Sequence, residues 1–133
     1  MRLLLDTHVL LWWLNADRRL SRSVRQIIAE GDVAVSAATV WEIAIKRMLG
    51  RLTVDLEELI SAISADQFTE LPVRFAHSVA LQSLPRHHDD PFDRLLIAQA
   101  IAEGRRLELG TLTCWRCTRV SADSICCARD GRS

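Results

Sequence analysis

Asp90 and Asp93 stand three residues apart in the run Asp90-Pro91-Phe92-Asp93-Arg94-Leu95-Leu96-Ile97-Ala98-Gln99-Ala100. They put two carboxylates at the mouth of an apolar helix, roughly 5–6 Å apart between Cβ atoms if both lie on its first turn. Such a pair either caps the helix or holds a hard divalent cation. His87, His88 and Asp89 lie just before it. Asp6 follows the apolar run Leu3-Leu4-Leu5, and Glu42 lies in the segment after Val33-Ala34-Val35. Carboxylates without His or Cys at metal spacing favour Mg²⁺, with Mn²⁺ as the alternative, over zinc. The chemistry they suit is phosphoryl transfer, in which one or two ions activate water and stabilise the leaving oxygen of a phosphodiester.

Each acid also has a purely structural reading. Asp6 can cap a helix beginning near His8. Thr39-Val40-Trp41-Glu42 fits a capping box, with Thr39 as N-cap and Glu42 reaching back. Glu42 and Lys46 can pair at i,i+4. Asp90-Pro91 fits an N-cap followed by proline at the first helical position, which puts Asp93 at the third. Taken together the acids say more. Three segments deliver carboxylate to one predicted edge, and clustered negative charge is costly unless something positive sits among it.

The elements that must position these acids alternate between strand and helix. Leu3–Leu5, Val33–Val35 and Phe68–Val73 read as short apolar strands. Helices are expected over Val9–Leu14, Ser21–Glu30 (Val24, Ile27 and Ile28 on one face, Gly31 as stop), Trp41–Leu49, Asp55–Ala65 and Phe75–Leu84. Trp41, Ile45, Met48 and Leu49 recur at helical spacing, with Gly50 as the cap signal. Pro85 to Asp89 reads as a polar loop, and the last clear helix runs from the opening motif to about Glu103, stopped by Gly104. Alternating strands and helices predict an α/β fold on a parallel sheet. Ligands of such sheets bind outside the carboxyl ends of the strands, where Asp6 falls directly.

At 133 residues, 49% hydrophobic and 26% charged, the chain has the size and make-up of one globular domain. Seventeen basic and seventeen acidic groups balance, so overall charge points to no partner. Lys46 is the only lysine; the other basic groups are arginines, whose planar fork suits phosphate. No run approaches the ~18–20 apolar residues of a membrane span, and Asp6 and His8 break the N-terminal apolar run that a secretory signal needs. A cytoplasmic protein with reduced thiols is the expectation. Residues 1–104 form the core by this reading, and 105–133 an atypical C-terminal segment. That segment holds all four cysteines and carries six arginines against three acids, while the core carries eleven basic groups against fourteen acidic. Cys114-Trp115-Arg116-Cys117 has zinc-knuckle spacing, but its partner would be the adjacent pair Cys126-Cys127, a poor match to a second C-x₂-C. Trp12, Trp13 and Trp41 are expected in core packing. Arg47, Arg51, Arg86 and Arg94, with His87 and His88, are candidates for phosphate contact.

LLLDTHVLLWWL, SAATVWEIAIKRMLGRL and LPRHHDDPFDRLLIAQAIAEG resemble, in that order, the motifs of PIN-domain ribonucleases, and most of all the VapC-type toxins of bacterial toxin–antitoxin pairs. The resemblance covers residues 1–104 and implies a small parallel sheet flanked by helices. Its three acids fall on Asp6, Glu42 and Asp93, with Asp90 as an additional acid that assists or caps. It implies Mg²⁺-dependent endonucleolytic cleavage of RNA, a cognate antitoxin partner and a homodimer. The family pattern carries a fourth acid about seven residues after Gly104, where Gly110-Thr111-Leu112 stands instead. Val120-Ser121-Ala122-Asp123 comes about twelve residues late. Either an insertion displaces the acid to Asp123, or the tail is unrelated sequence. The competing functional reading is a catalytically impaired PIN-like module that only binds its antitoxin.

Overall fold

Four parallel strands form one sheet in the order β3-β2-β1-β4: β1 (Arg2–Leu5), β2 (Asp32–Ser36), β3 (Thr69–Leu71) and β4 (Arg106–Glu108). The structure, a computed structural model, describes residues 1–84 and 90–108. β1 is central. Its neighbours run in register Leu5↔Val35 on one side and Leu5↔Glu108 on the other. Leu3, Leu4 and Leu5 are each 0% exposed, which explains their unbroken apolar run: a strand inside a parallel sheet is covered on both faces. Each buried leucine contributes roughly 1.5–3 kcal/mol relative to exposure.

Helices fill both faces. Above one lie α1 (Thr7–Leu14), α2 (Arg22–Glu30), α3 (Ala37–Met48) and α4 (Leu56–Ala65). They pack Val9, Leu10, Ile28, Ile43, Leu59 and Ile63 against Leu3, Leu5, Val33 and Val35. The other face is covered by α6 (Pro91–Ala102), whose Leu96, Ile97, Ala98 and Ala100 meet Leu4, Ala34, Leu71 and Leu107. α5 (Phe75–Ala80) packs along α6, and a 3₁₀ turn over Leu81–Ser83 takes up the rest of the helix expected to reach Leu84. The α/β architecture and the order of elements through α6 match the expectation from sequence, while β4 lies just past residue 104, in the segment read as atypical.

Boundaries follow local chemistry. Ser21 caps α2 through Val24 N–H, and Asp55 caps α4 through both Glu57 and Glu58 N–H. Gly50 and Gly104 close α3 and α6 with φ of +73° and +61°, the left-handed conformation glycine adopts without strain. α3 departs from expectation. It begins at Ala37, with Ser36 as N-cap accepting from Ala38 N–H at 3.1 Å. Thr39 is therefore inside the helix, and the Thr39–Glu42 capping box does not form. The strand ends against Ser36, so the earlier hydroxyl takes the capping position.

Candidate active site

The corner between β1 and α1 holds Asp6 and Thr7, which are 7% and 4% exposed. Asp6 is the N-cap of α1, and its Oδ1 accepts from Val9 N–H at 2.8 Å. Its own N–H donates to the Glu108 carbonyl at 3.1 Å, tying the corner to the end of β4. Capping is thus one function of Asp6, as its sequence position suggests.

Glu42 reaches this corner from α3. Thr7 Oγ1 donates to Glu42 Oε2 at 2.5 Å, a bond across 35 positions of sequence. Lys46 Nζ lies 2.9 Å from Glu42 Oε1, completing the i,i+4 pair read from sequence. Both carboxylate oxygens are engaged by protein donors, and the side chain is fixed in direction. The Thr7–Glu42 bond is a tertiary contact that no local pattern announces.

α6 brings the remaining acids. Asp90 is its N-cap, accepting from Phe92 N–H at 2.9 Å, with Pro91 at the first helical position. Asp93 is in the first turn and half-buried. α6 runs back toward the start of β4, so its N-terminus lies at the carboxyl edge of the sheet, with Asp6 and the α3 N-terminus. Trp41 and Phe92, the chain neighbours of Glu42 and Asp93, meet with ring centroids 5.2 Å apart. Trp41 is 60% exposed, so it forms this rim and does not pack in the core, contrary to expectation. Trp12 and Trp13 do pack against the core cluster.

A buried polar link lies beneath the site. Ser36 Oγ donates to Gln99 Oε1 at 2.6 Å, and Gln99 Nε2 reaches the Pro72 carbonyl at 3.4 Å. It joins the ends of β2 and β3 to the middle of α6, and the sequence reading did not anticipate it. Glu108 was also missed as a buried acid. It is 1% exposed, with Arg106 Nε 2.9 Å from its Oε1. Burial pushes its carboxyl above the usual range, and Arg106 offsets part of that rise.

The donor chemistry suits a hard divalent cation, because Asp6, Glu42 and Asp93 offer only oxygen. Among the described residues, however, no three His, Cys, Asp or Glu side chains come together as a metal-holding group. Asp123, Arg86, His87, His88 and the four cysteines lie outside the described residues.

A four-stranded parallel sheet with acids from β1, α3 and α6 at its carboxyl edge defines an acid-edged α/β domain. The chain belongs to the PIN-domain family, whose model matches residues 3–107. It is 35% identical to Ribonuclease VapC22 of Mycobacterium tuberculosis (strain ATCC 25618 / H37Rv), over 78% of this chain and 82% of the relative. That likeness places it with the VapC-type proteins. No solved structure matches it significantly. No helix among the described residues is long and apolar enough to cross a membrane.

Proposed function

We propose that this chain is a Mg²⁺-dependent endoribonuclease and the toxin of a toxin–antitoxin pair. The observation that supports the reading best is the Thr7–Glu42 bond, which joins α3 to the Asp6 corner. Two acid-bearing elements far apart in sequence are thereby fixed at one edge. Asp6, Glu42 and Asp93 hold the cation, with Mn²⁺ as an alternative ion. When bound, the ion supplies Lewis acidity that makes water nucleophilic near neutral pH and offsets charge on the phosphate. Thr7 holds Glu42 in direction, and Asp90 fixes the start of α6 and with it the aim of Asp93. Arg47 and Arg51 meet RNA phosphates in this reading, which their exposure supports. Asp123 is a ligand only if the tail carries the displaced fourth acid. The cognate antitoxin covers the acid edge, the protein acts as a homodimer, and its setting is the cytoplasm.

The second reading is a module that binds its antitoxin without cleaving RNA. It draws on the lack of a three-acid group among the described residues and on the missing acid about seven residues after Gly104. Incubation with structured RNA in Mg²⁺ and in EDTA, alongside Asp6→Asn, Glu42→Gln and Asp93→Asn, separates the two. Cleavage should need Mg²⁺ and fall at least a hundredfold in each variant, on the scale of losing ~3 kcal/mol of transition-state stabilisation. Cleavage that survives EDTA or these substitutions rejects the metal mechanism. No cleavage by the parent chain under any condition favours the binder.

A further inference from the structure

The only lysine in the chain points its charge at the acid site. Lys46 Nζ is 2.9 Å from Glu42 Oε1, and the two side chains are 29% and 13% exposed. On the other side of that carboxylate, Thr7 Oγ1 supplies a 2.5 Å hydrogen bond. Each oxygen of Glu42 therefore has one partner from its own chain.

We infer that Lys46 is a built-in counter-ion for the acid edge and sets its affinity for a divalent cation by competing for Glu42. The inference rests on the metal-dependent reading above. A carboxylate as little exposed as Glu42 needs positive charge nearby, and Lys46 provides it inside the protein. Where ammonium and a doubly charged ion face the same carboxylate oxygen, they repel each other at short range, even at a high effective dielectric. Lys46 consequently stabilises the unloaded site and weakens its hold on the ion. An ordinary helix-surface pair at i,i+4 would do neither, because neither partner would face an ion site. Lys46 acts through Glu42 and is a positioning residue.

The test is a Mn²⁺ titration by calorimetry of the full chain at neutral pH, with thermal unfolding before and after loading. Lys46→Met keeps the length of the side chain and removes the charge; Lys46→Arg keeps the charge. Lys46→Met should bind Mn²⁺ about tenfold more tightly than the parent. It should also unfold at lower temperature without the ion, and gain more on loading. Lys46→Arg keeps the charge that sets the competition and should match the parent within about twofold. Equal or weaker Mn²⁺ binding by Lys46→Met overturns the inference, as does an equal gain in Lys46→Arg. Should Lys46→Met fail to fold, Lys46→Gln takes its place with the same expected direction. Glu42→Gln and Asp6→Asn keep the underlying reading separate. If Mn²⁺ binds the parent and both of these equally, the metal site itself is rejected, and the inference with it.

Discussion

Thr7 shows how much a single hydroxyl can decide. Its bond to Glu42 Oε2 is short, nearly buried and made to a charged group, the kind worth about 1.5–3 kcal/mol. Thr7→Val keeps the shape and removes the donor, leaving one oxygen of Glu42 without its partner. Cleavage, read as kcat/KM, should drop about tenfold or more while the fold is retained; Thr7→Ser should restore it. A loss that serine does not repair would mean the methyl packing of Thr7 matters and its hydroxyl does not. Asp90 and Asp93 separate by the same logic. Asp90 Oδ1 is engaged with Phe92 N–H as a cap, so Asp90→Ala should cost about 1 kcal/mol of stability in urea and Asp90→Ser very little. Cleavage by the serine variant should stay near the parent level. Strong loss of activity with intact stability would make Asp90 a participant in the chemistry.

The elements were legible in the sequence where local signals agreed. Leu3–Leu5 and Val33–Val35 announced buried strands by apolar runs, and Gly50 and Gly104 announced helix ends, each adopted with positive φ. Asp90-Pro91 announced the start of α6. Two hydroxyls competed at α3, and the pattern around Thr39 drew the boundary three residues late; the strand's end at Ser36 decided it. Trp41 followed helical spacing with Ile45 and Met48, yet the spacing cannot say which face meets the core, and Trp41 stays 60% exposed. α5 inverts the usual pattern: Phe75 and Val79 face out, and His77 is 0% exposed. Three acids were legible as a set, but their partners were not, because Thr7–Glu42 and Ser36–Gln99 span 35 and 63 positions. The Ser36–Gln99 link makes its own prediction. Gln99→Leu removes the acceptor for a wholly buried hydroxyl and should cost about 1–3 kcal/mol in urea unfolding. Because the link joins β2 to α6, the loss should also relax α3 against α6. If stability is unchanged, the link is not holding these elements together.

Across the whole molecule, one contact with a definite pH response stands apart from Asp6, Glu42 and Asp93, at the C-terminal end of α6. There, His77 Nδ1 accepts from Arg74 N–H at 2.9 Å, which leaves Nε2 as the ring nitrogen that donates to Glu103 Oε1, also at 2.9 Å. This joins the start of α5 to the last residue of the α6 region, one helix length from Asp93. The His77 hydrogen bond is the main cause holding the Glu103 carboxyl below its ordinary value of 4.5; desolvation opposes it, and the His77, Arg74 and Arg105 charges assist. A carboxyl lowered on folding contributes stability above its unfolded pKa. That contribution is lost as pH falls through the lower folded value. Glu103→Gln cannot titrate. The parent should therefore be more stable than Glu103→Gln at about pH 6, with the difference closing toward about pH 3, read by urea unfolding at each pH. The pH profile of cleavage should be the same in both proteins, because Glu103 is remote from Asp6, Glu42 and Asp93. A stability difference that does not change with pH would show that the staple acts by packing and hydrogen-bond geometry alone. A shifted cleavage profile would instead mean that the two ends of α6 are coupled through the helix.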